Sequence, residues 1–146
     1  MTGFFVALLL LSCDEELISR IPNAPVEISV YLKIEQQLLY ATESFVKVGG
    51  KVRSIGFGGV LLIYGFDMNG GDVGTFYAYD LACPYEVDSN TRVIPDTEGK
   101  ATCPRCGSVY DTMWGTGFPD INSVSKYPLK SYVVVHTGVN SIAIRN

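Results

Sequence analysis

Three cysteines in the middle of the chain have a spacing that could hold a metal or form a disulfide. Cys83 is followed by Pro84 and Tyr85, and after a further seventeen residues come Cys103 and Cys106. Each group directly follows a predicted β-strand and lies in a loop that contains proline. Cysteine groups on two separate loops are typical of metal sites and of disulfide frameworks. The pattern therefore predicts that the two loops bring their thiols together.

Other kinds of site lack the residues that they need. The chain has a single histidine, His136, in a predicted strand near the end, where a structural or surface role is expected. Three acidic residues near the first cysteine, Asp80, Glu86 and Asp88, are expected to be solvated loop charges. The chain has neither a nucleophile–base–acid pattern nor a phosphate-binding glycine loop, so no enzymatic activity is predicted. The net charge is −4 with no basic stripe, which argues against binding to nucleic acid.

The segments around the cysteines have the pattern of an all-β domain. Short apolar or alternating runs are separated by glycine, proline and asparagine, which is typical of strands joined by turns. No long helical pattern is present, although residues 35–40 could form a turn or a short helix. A chain of 146 residues is long enough to bury one sizeable core. We predict about ten strands, at residues 26–34, 45–48, 52–55, 60–64, 75–79, 92–94, 100–102, 108–110, 129–136 and 141–144.

The second cysteine loop resembles the corresponding loop of Rieske domains. Its sequence is Cys103-Pro104-Arg105-Cys106-Gly107-Ser108-Val109-Tyr110-Asp111. Rieske domains carry Cys-x-His and Cys-x-x-His on two loops, with the thiolates on one iron and the imidazoles on the other. Cys83 and Cys103 match the two cysteine positions, whereas Tyr85 and Cys106 stand where the two histidines belong. The resemblance extends from about Pro22 to the carboxyl terminus.

This resemblance implies a fold and roles for further residues. The fold would be an antiparallel β-sandwich of the Rieske type, with a small cysteine-bearing subdomain at about residues 81–117. The hydroxyls of Ser108 and Tyr110 match positions that bond to the cluster sulfurs in some Rieske proteins. Residues 115–119 are similar to the glycine-proline loop that covers the cluster, and Trp114 and Phe118 are expected to pack over the site. The implied function is electron transfer to an unidentified redox partner.

Besides three free thiols, which an exported protein rarely keeps, the missing histidines leave three states of the site open. The first is an atypical [2Fe-2S] cluster on the three cysteines, with a fourth ligand from Tyr85, Glu86, Asp88 or an exogenous group. The second is a zinc ion on the same thiolates. The third is a disulfide without metal, between Cys83 and Cys103 or between Cys103 and Cys106. A metal-free or zinc-bearing domain would be a non-redox protein that uses the scaffold for binding or structure.

The amino terminus resembles the signal of bacterial lipoproteins. Residues 4–11 form an apolar run that is too short to span a bilayer, and Leu10-Leu11-Ser12-Cys13 is similar to a lipobox. The resemblance implies a signal peptide at residues 1–12, lipidation of Cys13, a tether to residue 22 and the Rieske-like domain at residues 23–146. The folded domain would be anchored to a bacterial membrane and would lie outside the cytoplasm, in the periplasm or at the cell surface.

Overall fold

The chain forms an antiparallel β-structure in a computed structural model that describes residues 19–32, 40–43, 45–48, 51–70 and 74–146. These ranges contain eleven strands and no helix, and hence no helix that could cross a membrane. The predicted all-β class is therefore confirmed. The strands are β1 (Glu27–Tyr31), β2 (Tyr40–Glu43), β3 (Phe45–Val48), β4 (Lys51–Ser54), β5 (Val60–Gly65), β6 (Thr75–Asp80), β7 (Ile94–Pro95), β8 (Lys100–Thr102), β9 (Val109–Asp111), β10 (Ser131–Gly138) and β11 (Ser141–Arg145).

The strands are divided among three sheets. The largest has six strands in the order β1-β11-β10-β6-β5-β2, in which β10 and β11 form a hairpin and β5 pairs with β6 along six residue pairs. A second sheet consists of the β3-β4 hairpin, and a third has the order β7-β8-β9. The predicted strands at residues 60–64, 75–79, 100–102 and 141–144 lie within β5, β6, β8 and β11.

The six-stranded sheet is buried on both faces where β5 lies. Val60 and Leu62 belong to one apolar cluster, whereas Leu61 and Ile63 belong to another. Successive side chains of a strand point to opposite faces, so an unbroken apolar run is what a doubly covered strand requires. The alternation continues on β6, where Ala78 joins the first cluster. The sheet thus forms the central layer, with one core on each side.

The three-stranded sheet covers one of these faces and carries the cysteine loops. Val93, Ala101 and Tyr110 from this part of the chain pack in one buried cluster with Leu61 and Tyr79 of the large sheet. Cys83 and Cys103 belong to the same cluster, at 0% and 1% exposure. The packing of the small sheet on the large one therefore fixes where both cysteine loops begin.

The strand before the last turn, β10, has eight residues like the strand predicted at residues 129–136, but it lies two residues further along the chain. The sequence predicts a turn over residues 137–140, but β10 continues to Gly138, and the turn is confined to residues 139–140. The pairing with β11 shifts in register between His136 and Gly138, which is the mark of a β-bulge. The bulge inserts one residue into β10, and the strand therefore extends beyond its apolar pattern.

Several predictions concern residues outside the described ranges. The signal peptide, Cys13 and the first part of the tether fall in residues 1–18, and most of the predicted turn or short helix falls in residues 33–39. The last residues of the predicted tether are described, and they contact the domain. Ile21 is buried, and the guanidinium of Arg20 lies 5.0 Å from the ring centroid of Tyr127.

Candidate metal centre

The first cysteine loop is a tight turn closed by backbone hydrogen bonds. The amide of Cys83 donates to the carbonyl of Thr91 at 3.0 Å, and the amide of Val87 donates back to the carbonyl of Cys83, also at 3.0 Å. Val87 has a φ of 53°, a left-handed conformation that β-branched residues rarely adopt. A strained residue of this kind persists only where its surroundings hold it, so the loop has a defined shape.

The second cysteine loop has the same design. The amide of Cys103 donates to the carbonyl of Ser108 at 2.9 Å, and the amide of Gly107 donates to the carbonyl of Cys103 at 3.0 Å. Gly107 has a φ of 71°, which glycine adopts without strain. This loop joins β8 to β9, and the antiparallel pairing of those strands places Cys103 and Ser108 opposite each other.

The two loops bring three sulfur atoms together. The Sγ atoms of Cys83, Cys103 and Cys106 all lie within 4.8 Å of one another, and those of Cys83 and Cys106 are 3.7 Å apart. In tetrahedral coordination with metal–sulfur bonds of about 2.3 Å, two sulfur ligands of one ion lie about 3.8 Å apart. The observed spacing fits such an ion and is longer than the ~2.05 Å of a disulfide bond. All three thiols are free in the structure.

Two hydroxyl groups contact these sulfurs. The Oη of Tyr110 lies 3.3 Å from the Sγ of Cys83, and the Oγ of Ser108 lies 3.2 Å from the Sγ of Cys106. Both hydroxyl-bearing residues are fully buried, and the backbone amide of Ser125 donates to Ser108 Oγ at 3.1 Å. Each hydroxyl could donate to a thiolate, and such bonds stabilise the charged form of a sulfur.

The thiols differ in their acidity because their surroundings differ. Burial raises the pKa of Cys103 to about 12. Burial also acts to raise the pKa of Cys106, but hydrogen bonds from the hydroxyl and the amide of Ser108 outweigh it and leave that pKa below its usual range. Burial and the contact with Cys83 raise the pKa of Tyr110. Tyr110 is therefore a neutral hydrogen-bond donor, and Cys106 ionises more readily than Cys103.

The ligand set of a typical Rieske cluster does not fit this site. Tyr85, at the first histidine position, is 45% exposed, and Cys106 occupies the second position. The single histidine of the chain, His136, is an exposed residue of β10 whose ring packs edge-on against Phe76 with centroids 6.4 Å apart. The prediction that His136 has a structural or surface role is consistent with this position. A metal at the site would be held mainly by thiolates.

The glycine-proline loop runs beside the strand that carries Tyr110. Pro119 forms a β-bridge with Tyr110, and the amide of Asp111 donates to the carbonyl of Phe118 at 2.9 Å. Trp114, which was expected to pack over the cysteines, instead has its ring against Phe66, with centroids 4.8 Å apart. Both Trp114 and Phe118 are nearly half exposed. The backbone of this loop, more than its aromatic rings, defines the neighbourhood of the site.

One acidic residue near the site has an environment that the sequence did not suggest. Asp80 was expected to be a solvated loop charge, but it is fully buried, and this expectation is wrong. Its carboxylate accepts hydrogen bonds from the amides of Phe57, Gly58 and Ala82 and from the hydroxyl of Tyr132. These donors come from three separate segments, which satisfies the buried charge. The only signal in the sequence is the cluster of glycines at residues 56–59, which leaves room for the carboxylate.

The other two acidic residues form an ion-paired group at the rim. Arg105, on the second loop, has its Nη1 3.5 Å from Glu86 Oε2 and 3.7 Å from Asp88 Oδ2 on the first loop. The side chain of Glu86 is only 15% exposed, whereas that of Asp88 is 36% exposed. The ion pairs therefore join the two cysteine loops across the site.

Comparisons with protein-family models, with curated proteins and with solved structures find no match for this chain. The geometry of the two loops is therefore the basis on which a function can be assigned. That geometry comprises three thiols, two of them buried, two hydroxyl groups that contact them and an ionic rim.

Proposed function

We propose that this chain is a membrane-anchored lipoprotein with a Rieske-type domain, in which Cys83, Cys103 and Cys106 hold an iron centre that transfers electrons. The observation that carries the proposal is the meeting of the three sulfur atoms within 4.8 Å on two loops of matching shape. Three cysteines from two loops, two of them buried, form a donor set suited to a soft or borderline metal.

The relation to Rieske domains is supported by what surrounds the sulfurs. The second loop resembles the family's second loop from Cys103 to Asp111, with Cys106 in place of the histidine, and the hydroxyls of Ser108 and Tyr110 contact two of the sulfurs. The glycine-proline loop pairs through Pro119 with Tyr110, whose hydroxyl contacts the sulfur of Cys83. Thiolate in place of imidazole adds negative charge, so the reduction potential should lie below that of a histidine-ligated Rieske centre.

The residues around the site would tune such a centre. An iron centre supplies one-electron redox chemistry when it is bound. Tyr110 and Ser108 would donate hydrogen bonds to thiolate sulfurs, which favours the reduced, more negative state. The burial of Cys83 and Cys103 keeps water away from two of the ligands, whereas Cys106 is partly exposed and provides the side from which a redox partner could approach.

A structural zinc site is the second candidate, and the sulfur spacing favours it. The 3.7 Å between the sulfurs of Cys83 and Cys106 matches the edge of a single tetrahedral ion. In a Rieske-like cluster these two residues would bind different irons. A zinc ion would join the two loops and stabilise the small sheet, and the protein would then use its scaffold for binding or structure.

Metal analysis of the full chain, purified anaerobically from detergent-treated whole cells, tests the proposal. We expect bound iron with visible absorption, or bound zinc for the second candidate, and loss of the metal in Cys103→Ser. Cys13→Ser is the matched control, since it removes a cysteine that the proposal places outside the site. Metal-free protein that takes up neither iron with sulfide nor zinc, with any two of the three cysteines joined in a disulfide, would refute the metal centre.

The membrane anchor is a separate part of the proposal. It is supported by the apolar run at residues 4–11 and by Cys13 after a small residue. Cells fed labelled palmitate should incorporate the label into the wild-type chain but not into Cys13→Ser. Equal labelling of the two chains, or none in either, would contradict lipidation at this residue.

A further inference from the structure

The two cysteine loops both begin with Cys-Pro and share one backbone conformation over five residues. The first reads Cys83-Pro84-Tyr85-Glu86-Val87 and the second reads Cys103-Pro104-Arg105-Cys106-Gly107. Each has a turn over its second to fourth residues, a left-handed fifth residue, and a hydrogen bond from the fifth amide to the cysteine carbonyl. Equal backbone geometry sends side chains at equal positions in equivalent directions. Glu86 therefore stands in the first loop where the ligand Cys106 stands in the second.

The exposure of the side chains agrees with this equivalence. The third residues of the loops both face solvent, since Tyr85 is 45% exposed and the Arg105 side chain is 62% exposed. The fourth residues are more enclosed, since Cys106 is partly buried and the Glu86 side chain is 15% exposed. In the structure the enclosed carboxylate of Glu86 pairs with Arg105 of the second loop and lies outside the set of three sulfurs, so it would complete the donor set by turning towards them.

We propose that Glu86 is the fourth ligand of the metal centre, a proposal that rests on the proposed metal-binding function. Carboxylate oxygen is a common ligand of zinc and of iron, and it would give one ion a set of three sulfurs and one oxygen. Tyr85, the residue that the Rieske spacing aligns with a histidine, is not a ligand in this arrangement, because its loop position is the outward one.

The rim allows Glu86 to turn towards a metal without leaving a charge unpaired. In the structure Arg105 Nη1 lies 3.5 Å from Glu86 and 3.7 Å from Asp88. If the carboxylate of Glu86 binds the ion, Arg105 keeps Asp88 as its partner. Arg105 also offsets part of the negative charge of three thiolates and one carboxylate, which exceeds the charge of a divalent ion by two.

Cobalt binding tests the assignment, because Co²⁺ in a tetrahedral thiolate site is coloured. Full-length wild-type chain, stripped of metal by a chelator, is titrated with Co²⁺ under anaerobic conditions beside Glu86→Gln, Glu86→Cys, Tyr85→Phe and Asp88→Asn. We expect Glu86→Gln to bind Co²⁺ at least about tenfold more weakly. Glu86→Cys should raise the sulfur-to-cobalt charge-transfer absorption by roughly one third, since a fourth thiolate joins three. Tyr85→Phe should match the wild type, whereas Asp88→Asn, which removes the partner left to Arg105, should weaken binding less than Glu86→Gln does.

The outcomes separate this inference from the proposed function. If Co²⁺ binds the wild type and fails to bind Cys103→Ser, the thiolate centre stands. If, in addition, Glu86→Gln keeps wild-type affinity and Glu86→Cys keeps wild-type absorption, Glu86 is not a ligand. Weakened binding by Tyr85→Phe with Glu86→Gln unaffected would assign the fourth position to Tyr85 and overturn the inference. A wild-type chain that binds no Co²⁺ would overturn both proposals.

Discussion

Replacing Asp80 with asparagine should lower the free energy of unfolding by about 3 kcal/mol. Oδ1 accepts the amides of Gly58 and Ala82 at 2.9 and 2.8 Å, and Oδ2 accepts the amide of Phe57 at 2.8 Å and the hydroxyl of Tyr132 at 2.5 Å. Asparagine replaces one of the two oxygens with an NH₂ group. At least one backbone amide then faces another donor.

The expected loss of about 3 kcal/mol follows from the hydrogen bonds that the donors to Asp80 would lose. An unsatisfied buried amide costs about 1–3 kcal/mol, and the bonds that remain are weaker because the acceptor is neutral. Part of this loss is offset because a neutral amide is less costly to bury than a carboxylate. Tyr132→Phe removes only one donor and leaves Oδ2 with the amide of Phe57, so its expected cost is smaller, about 1.5 kcal/mol.

Urea unfolding followed by circular dichroism measures these differences. Asp96→Asn is the matched control, because Asp96 also accepts two backbone amides, those of Glu98 and Lys100, but does so at an exposed turn. That variant should lose less than about 1 kcal/mol. Equal losses in Asp80→Asn and Asp96→Asn would refute the reasoning, since burial would then make no difference to a carboxylate with several donors.

Two further substitutions probe the glycine loop and the site. A methyl group added at Gly58 would lie 2.5 Å from the amide nitrogen of Ala82, so Gly58→Ala should cost about 2 kcal/mol or more in urea unfolding. Gly138→Ala, which meets only a serine side chain, should cost less, and the reverse order would contradict the packing. Tyr110→Phe removes the hydroxyl 3.3 Å from the sulfur of Cys83. It should keep the fold and lower the reduction potential of an iron centre, and an unchanged potential by voltammetry would count against that hydrogen bond.

The central strands could be predicted because their signal is local. β5 is an unbroken apolar run, and the structure buries both its faces. The position of β10, two residues beyond the strand predicted at residues 129–136, could not be predicted in the same way. Its last residues are exposed and polar, and they are held in the strand by a bulge and by a hydrogen bond between the hydroxyls of Thr137 and Ser141. Strand pairing that depends on a bulge and on polar side chains gives no periodic pattern of apolar residues in the sequence.

In the candidate site, too, the features with a local sequence signal could be predicted, and those that depend on residues distant in the sequence could not. The spacing of Cys83, Cys103 and Cys106 predicted that two loops meet, and the sulfurs do lie together. The burial of Asp80 was missed because its donors come from residues 57–58, 82 and 132, which only the fold brings together. A lone acidic residue at a strand end is typical of a solvated loop, and nothing local distinguishes this one.

The equivalence of Glu86 and Cys106 is hidden in the sequence for a different reason. In the second loop the left-handed fifth residue is Gly107, which is the usual residue for that conformation, whereas the first loop has Val87 at φ 53°. A valine there hides the match between the loops, because valine normally indicates extended backbone. Only the shared hydrogen bond and the shared φ show that the two turns are alike.

Cysteine variants alone cannot separate metal binding at this site from the packing of the buried core. Cys83 and Cys103 pack in the same buried cluster as Leu61 and Tyr79, so replacing either thiol disturbs the core as well as any metal. Glu86 pairs with Arg105 of the other loop and is not a member of that cluster. A change in metal affinity on replacing Glu86, with the stability of the metal-free protein unchanged, would therefore report on the metal centre itself.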